Sequence, residues 1–164
     1  SMPGGEIMPS LESGAIDATE WVGPYNDLAF GFYQVAKYYY GPGFHEPGTQ
    51  AECMVNKEEY DKLPKHLQKI VEHASVSENN KMLAEFTYGN SAAQRKLVDT
   101  HGVIMNNFPK EVYDTMFKIS EEVVAETAND GEINKKIYNS WIKFKDDVRV
   151  RAPYAEQGYM ERRG

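Results

Sequence analysis

The chain has 164 residues, of which 41% are hydrophobic and 26% charged, with a net charge of −7 at pH 7. This is enough for one ordinary core or two small lobes of a globular protein. The acidic balance argues against nucleic acid and anionic membrane surfaces as partners, because both present phosphate that an acidic surface repels.

No run approaches the ~18 apolar residues that span a bilayer. No basic segment followed by an apolar one marks a signal peptide, although a mature chain would lack it anyway. The opening Ser1-Met2-Pro3-Gly4-Gly5, followed at once by helix, reads like the middle of a protein. Cys53 is the sole cysteine, which rules out an intrachain disulfide and a thiolate cluster. It is expected as a small buried residue in a strand.

In chain order, Glu6–Ser13 predicts a short helix, with Gly14 at its C′ position and Pro9 tolerated in a first turn. Gly14 to Trp21 then predicts a short strand by its apolar/polar alternation. It ends in Glu20 and Trp21, just before the Gly23-Pro24 break. A carboxylate and an aromatic at a strand's carboxyl end are a usual way for an α/β protein to present a ligand site. The plainer alternative is a solvated Glu20 beside a core Trp21.

Pro24 to Tyr40 predicts a helix with Leu28, Phe32 and Val35 on one face and Tyr38-Tyr39-Tyr40 packing at its end. Gly41-Pro42-Gly43 breaks it. Thr49 to Asn56 alternates like a strand. Lys57–Pro64 reads as a turn or short helix, and Pro64 opens an amphipathic helix carrying Leu67, Ile70, Val71 and Ala74. Helical character runs to about Thr100, with kinks expected at Ser75-Val76-Ser77 and Tyr88-Gly89-Asn90. Val103–Phe108 predicts a strand. Two helices follow, from Pro109 with Val112, Met116, Ile119 and Val123 on one face, and over Glu132–Arg149 with Ile133, Ile137, Trp141 and Phe144. The tail from Ala152 is polar and expected to order only if docked. The element order is α/β with a helix-rich second part.

Enzyme templates are missing: no P-loop, dinucleotide glycine fingerprint, Gly-x-Ser-x-Gly elbow or His-Glu-x-x-His site occurs. His66 and His73 read as surface residues, which leaves a soft metal without ligands. Hard oxygen donors are better represented. Glu20 and Glu46 both lie where a regular element meets a Gly/Pro break and main-chain carbonyls are available. A carboxylate pair plus a carbonyl suits Na⁺ or Ca²⁺, and equally an acid/base dyad.

Two segments narrow the choice. Gly14-Ala-Ile-Asp-Ala-Thr-Glu-Trp-Val-Gly-Pro-Tyr-Asn-Asp27 and Gly43-Phe-His-Glu-Pro-Gly48 together resemble the solute-binding subunit of tripartite ATP-independent periplasmic (TRAP) transporters, in the branch that binds 2-oxo and 2-hydroxy monocarboxylates with a metal ion. Tyr60-Asp-Lys-Leu-Pro-Lys-His-Leu-Gln-Lys-Ile70 also fits the pattern, so the likeness spans nearly the whole chain. It implies a periplasmic, non-catalytic, two-lobed binding protein that closes on a small organic acid such as pyruvate or lactate and serves TRAP membrane subunits. It implies that Glu20 ligates Na⁺ or Ca²⁺ by its side chain and Trp21 by its carbonyl, that Glu46 completes the carboxylate set, and that the ion bridges to the acid.

Members of this family run to about twice this length. The resemblance therefore implies that residues 1–164 are a C-terminal half, with parts of both lobes and long helices over about 109–150. The arginine that pairs the acid and a glutamine of the metal shell would precede Ser1, and the chain alone would bind the acid weakly. Uncovered apolar surface would favour a homo-oligomer. Two alternatives stand beside this reading: a helical fragment that self-assembles without ligand, and an enzyme using Glu20 and Glu46.

Overall fold

The computed structural model describes residues 2–44, 48 and 52–163. Its elements are α1 (Gly4–Ser13), α2 (Pro24–Phe30), a 3₁₀ turn (Phe32–Gln34), β1 (Tyr38–Tyr40), α3 (Lys57–Lys62), α4 (Lys65–Asp99), β2 (Ile104–Asn106), α5 (Lys110–Thr127), α6 (Glu132–Arg151), a second 3₁₀ turn (Ala152–Tyr154) and α7 (Glu156–Arg163). The chain is thus helix-rich with few strands. Among the described residues no helix is long and apolar enough to cross a membrane. Residues 1–107 and 108–164 form two compact units.

In the first unit, α1 closes at Gly14, as the sequence suggests, but begins at Gly4 and so places Pro9 inside the helix. No strand follows it: residues 14–21 are turn and irregular backbone. Alternation over Ala, Asp and Thr offers little apolar area to hold a strand, and among the described residues the sheet consists of β1 and β2. The helix expected over Pro24–Tyr40 stops at Phe30. Gly31 takes the left-handed conformation at φ 79° and caps it, a geometry that costs glycine least. The tyrosine run then extends as β1, since aromatic side chains favour strands over helix ends. It pairs parallel with β2, Tyr39 opposite Met105.

Of the strand expected at residues 49–56, the described part, residues 52–56, forms none. Residues 52–56 are irregular and Cys53 is exposed, not buried; Thr49 to Ala51 lie outside the described residues. Asn56 instead caps α3, accepting the Glu59 amide at 3.1 Å, the usual work of an asparagine just before a helix.

α4 runs unbroken through both expected kinks for 35 residues. Gln68 fastens its start to α3: its amide donates to the Tyr60 and Leu63 carbonyls, each at 3.0 Å. The small core of this unit gathers Ile7, Phe32, Ala93, Leu97 and Val103. Against it, Trp21 packs on Phe30 with ring centroids 5.0 Å apart, and Phe30 stacks on Phe32.

The second unit is the α5–α6 pair followed by the second 3₁₀ turn and α7. Lys145 of α6 donates to Glu121 of α5 at 2.8 Å. Beyond α6 the tail is ordered: the Arg162 guanidinium donates to the Gly158 carbonyl at 3.0 Å, and α7 packs on the second 3₁₀ turn. The apolar stripe of α6 faces outward, with Ile137 61% and Phe144 69% exposed.

Candidate functional site

The Glu20–Trp21 pair sits on a tight turn between α1 and α2, with Glu20 exposed and Trp21 half-buried. Trp21 is anchored from below: its ring lies so close to Gly4 that a Cβ there would come within 2.8 Å. The hydroxyl of Thr19 donates to the Glu20 carbonyl at 3.1 Å. The Trp21 carbonyl, by contrast, receives no hydrogen bond from the described residues.

Asp27 organises the turn. It lies in α2 and is only 8% exposed. Its Oδ1 accepts the Gly23 amide at 3.3 Å and the Val22 amide at 3.5 Å. Its Oδ2 accepts the Tyr39 hydroxyl at 2.6 Å. Burial pushes the Asp27 carboxyl above its ordinary range, against the lowering effect of the Tyr39, Val22 and Gly23 donors. Burial also raises the Tyr39 hydroxyl, reinforced by its hydrogen bond to Asp27 and by the charges of Asp27 and Glu20. Glu20 is therefore close enough to act electrostatically on Tyr39.

From the other side Asn90 of α4 accepts the Tyr25 amide at 2.9 Å, satisfying an amide in the first turn of α2 that has no partner within the helix. The turn is thus held from inside by Asp27 and from across the core by Asn90. Two buried polar atoms near the start of α2, Trp21 Nε1 and Asn26 Oδ1, find no hydrogen-bond partner among the described residues.

Of the three residues expected to ligate a cation, the structure describes two. Glu20 and Trp21 are adjacent on the turn; Glu46 lies outside the described residues, as does His45. Among the described residues no three His, Cys, Asp or Glu side chains gather around a common point that could hold a metal. The donors that are present, one exposed carboxylate and a main-chain carbonyl with no donor of its own, are oxygens, and so fit Ca²⁺ or Na⁺ in kind rather than zinc or copper. His66 and His73 are exposed on α4, as expected.

Sequence reasoning missed three residues here. Tyr39 was assigned to packing at a helix end, Asn90 to a kink, and Asp27 carried no role. A signal for Asp27 existed: a carboxylate four residues after Gly23, in the first turn of a helix opened by Pro24, is placed to reach back to exposed amides.

Comparison with known proteins adds the following. The model of a family described as bacterial extracellular solute-binding protein, family 7, matches residues 1–130. A monocarboxylate 2-oxoacid-binding periplasmic protein from Nostoc sp. is 36% identical over 147 residues, which are 90% of this chain and 40% of that protein. The solved TRAP periplasmic solute-binding protein of Colwellia psychrerythraea, with bound calcium and pyruvate, matches 98% of this chain with a TM-score of 0.92 and 34% identity. That of Pseudoalteromonas atlantica, with bound sodium and pyruvate, matches 99% with a TM-score of 0.90 and 34% identity. The chain spans 49% of each solved chain.

Proposed function

Because the chain belongs to the family of bacterial extracellular solute-binding proteins, family 7, we propose that it serves a periplasmic TRAP transporter in solute capture and takes a small 2-oxo or 2-hydroxy monocarboxylate, such as pyruvate or lactate, through Ca²⁺ or Na⁺. The family is one of binding proteins, which sets aside the reading of Glu20 and Glu46 as an enzyme's acid/base dyad. The observation that carries the proposal is the match in fold and sequence to two proteins that hold pyruvate with calcium or sodium.

Glu20 supplies a carboxylate oxygen, Trp21 its main-chain carbonyl and Glu46 a second carboxylate. These groups alone would repel an anionic acid. When bound, the cation supplies the positive charge that lets protein and ligand oxygens share one site. The Trp21 ring, wedged between Gly4 and Phe30, keeps the adjacent carbonyl in place and gives the acid an apolar wall.

Residues 1–164 correspond to the C-terminal half of a two-lobed binding protein, with parts of both lobes. This chain accordingly carries the cation side of the site, and the membrane subunits of the transporter are its partners. It also forms a homo-oligomer, a reading supported by the exposed apolar stripe of α6, Ile133, Ile137 and Phe144.

The test is calorimetric titration of Ca²⁺ into the chain, with and without pyruvate, beside Glu20→Gln. The expected outcome is Ca²⁺ uptake that the substitution removes. Equal uptake by the variant would overturn the assignment.

A further inference from the structure

We propose that Asp27, held by Tyr39, is a positioning residue for the Trp21 carbonyl, turning that oxygen outward to meet the cation; the inference rests on the function proposed above.

What Asp27 holds is the peptide group joining Trp21 to Val22. It is trans, the described cis bond being at Gly41-Pro42. In a planar trans peptide the C=O and the N–H point to opposite sides. The Val22 N–H points to Asp27 Oδ1 at 3.5 Å, and the next amide, of Gly23, reaches the same oxygen at 3.3 Å. The Trp21 carbonyl is therefore aimed away from the buried carboxylate. Two consecutive amides on one oxygen leave this peptide little freedom to flip. An anionic acceptor on the N–H side also draws electron density toward the carbonyl oxygen, which makes it a better donor to a hard cation.

A helix cap would need only Oδ1. Here Oδ2 is engaged as well, accepting the Tyr39 hydroxyl at 2.6 Å. Tyr39 lies in β1, registered against Met105 of β2. The aim of the Trp21 carbonyl is thus referred to the sheet rather than to α2 alone. Tyr39 fixes Asp27 in rotation about its side chain; Asp27 then fixes the peptide.

Terbium(III), a hard cation whose emission is sensitised by nearby indoles, is the probe. Its titration is followed in the parent chain and in Tyr39→Phe, Asp27→Ala and Glu20→Gln, with amide hydrogen exchange measured on the same samples. In Tyr39→Phe the terbium affinity falls about threefold, while the melting temperature and exchange within α4 stay at parent values. In Asp27→Ala the affinity falls further, and the Val22 and Gly23 amides exchange about tenfold faster, as expected for the loss of one hydrogen-bond acceptor.

Parent affinity in both Tyr39→Phe and Asp27→Ala overturns the proposal, as does unchanged exchange at Val22 and Gly23 in Asp27→Ala. Glu20→Gln separates the two ideas. If it keeps parent emission, the cation reading itself has failed, and the exchange rates alone then decide whether Asp27 holds the turn.

Discussion

Gly89, in the middle of α4, lies flat against the ring of Tyr25, so close that a Cβ would stand 3.0 Å from its Cγ. The next residue, Asn90, accepts the Tyr25 amide at 2.9 Å. Two consecutive residues of one helix therefore seat the start of another, one by lacking a side chain and one by using it. An alanine in a helix is ordinarily favoured over glycine by about 1 kcal/mol. At position 89 that gain is offset by the ring, because Tyr25 also packs edge to face on Phe86 of the same helix, with centroids 5.9 Å apart.

Gly89→Val is accordingly expected to undock α2 and lower the melting temperature. Asn90→Ala is expected to cost about 1 kcal/mol, the usual worth of a hydrogen bond to a first-turn amide. Urea titrations followed by Trp21 fluorescence check both. A Gly89→Val chain as stable as the parent would show that the ring yields.

The Asp27 carboxyl is raised by burial, and the sign of its pH effect follows. In the unfolded chain the group ionises at its ordinary value; in the fold it ionises later. Its contribution is fully present below the ordinary value and is lost as pH rises through the raised one. Relative to Asp27→Asn, which does not titrate, the parent should lose stability as pH climbs from acid toward neutral. Urea midpoints of the two chains at several pH values, without added metal, measure this; a gap moving the other way would contradict it.

Glu121 behaves oppositely. The hydrogen bond from Lys145, then its charge, hold the carboxyl below its ordinary range. The link between α5 and α6 is present above the ordinary carboxylate value and is lost as pH falls through the lowered one. Glu121 is exposed and Lys145 half-buried, so the effect is small and weakens with salt. Lys145 also lies over the Trp141 ring at 5.0 Å. Lys145→Met should keep much of that packing while reducing the pH and salt dependence to the smaller share left by Arg149, 3.7 Å from Glu121, which thermal melts in low and high salt will show.

The outward stripe of α6 makes a prediction about assembly. Ile137 and Phe144 stand one above the other along the helix and are largely exposed. Ile137→Glu with Phe144→Lys should leave the helix content intact while lowering the mass seen by light scattering. A parent chain of monomer mass, or a mass unchanged by the substitutions, would contradict assembly through this stripe.

The long helices were legible because their apolar residues recur at a helical period and their boundaries carry proline or glycine. Pro64, Pro109 and Gly131 stand where the sequence placed a helix start. The short elements were not. Tyr38-Tyr39-Tyr40 has no period to read, and its strand exists only because Ile104–Asn106 returns beside it from more than sixty residues away. Glu20 and Trp21 could be singled out from their neighbours and the resemblance they complete. Asp27 offered one signal, its place in the first turn after Gly23-Pro24; Asn90 offered none, because its role depends on which backbone amide the fold leaves within its reach.

The small core has a thermodynamic corollary. Among the described residues the buried apolar side chains are Ile7, Phe32, Ala93, Leu97 and Val103, while Ile70, Leu83, Ile119, Ile137 and Phe144 stay largely exposed, so folding hides less apolar area than a core of ordinary size would. Denaturant sensitivity and the heat-capacity change both scale with newly exposed area. The isolated chain should therefore unfold along a shallow gradient, and a partner that covers the stripes of α4, α5 and α6 would sharpen that transition as well as raise its midpoint.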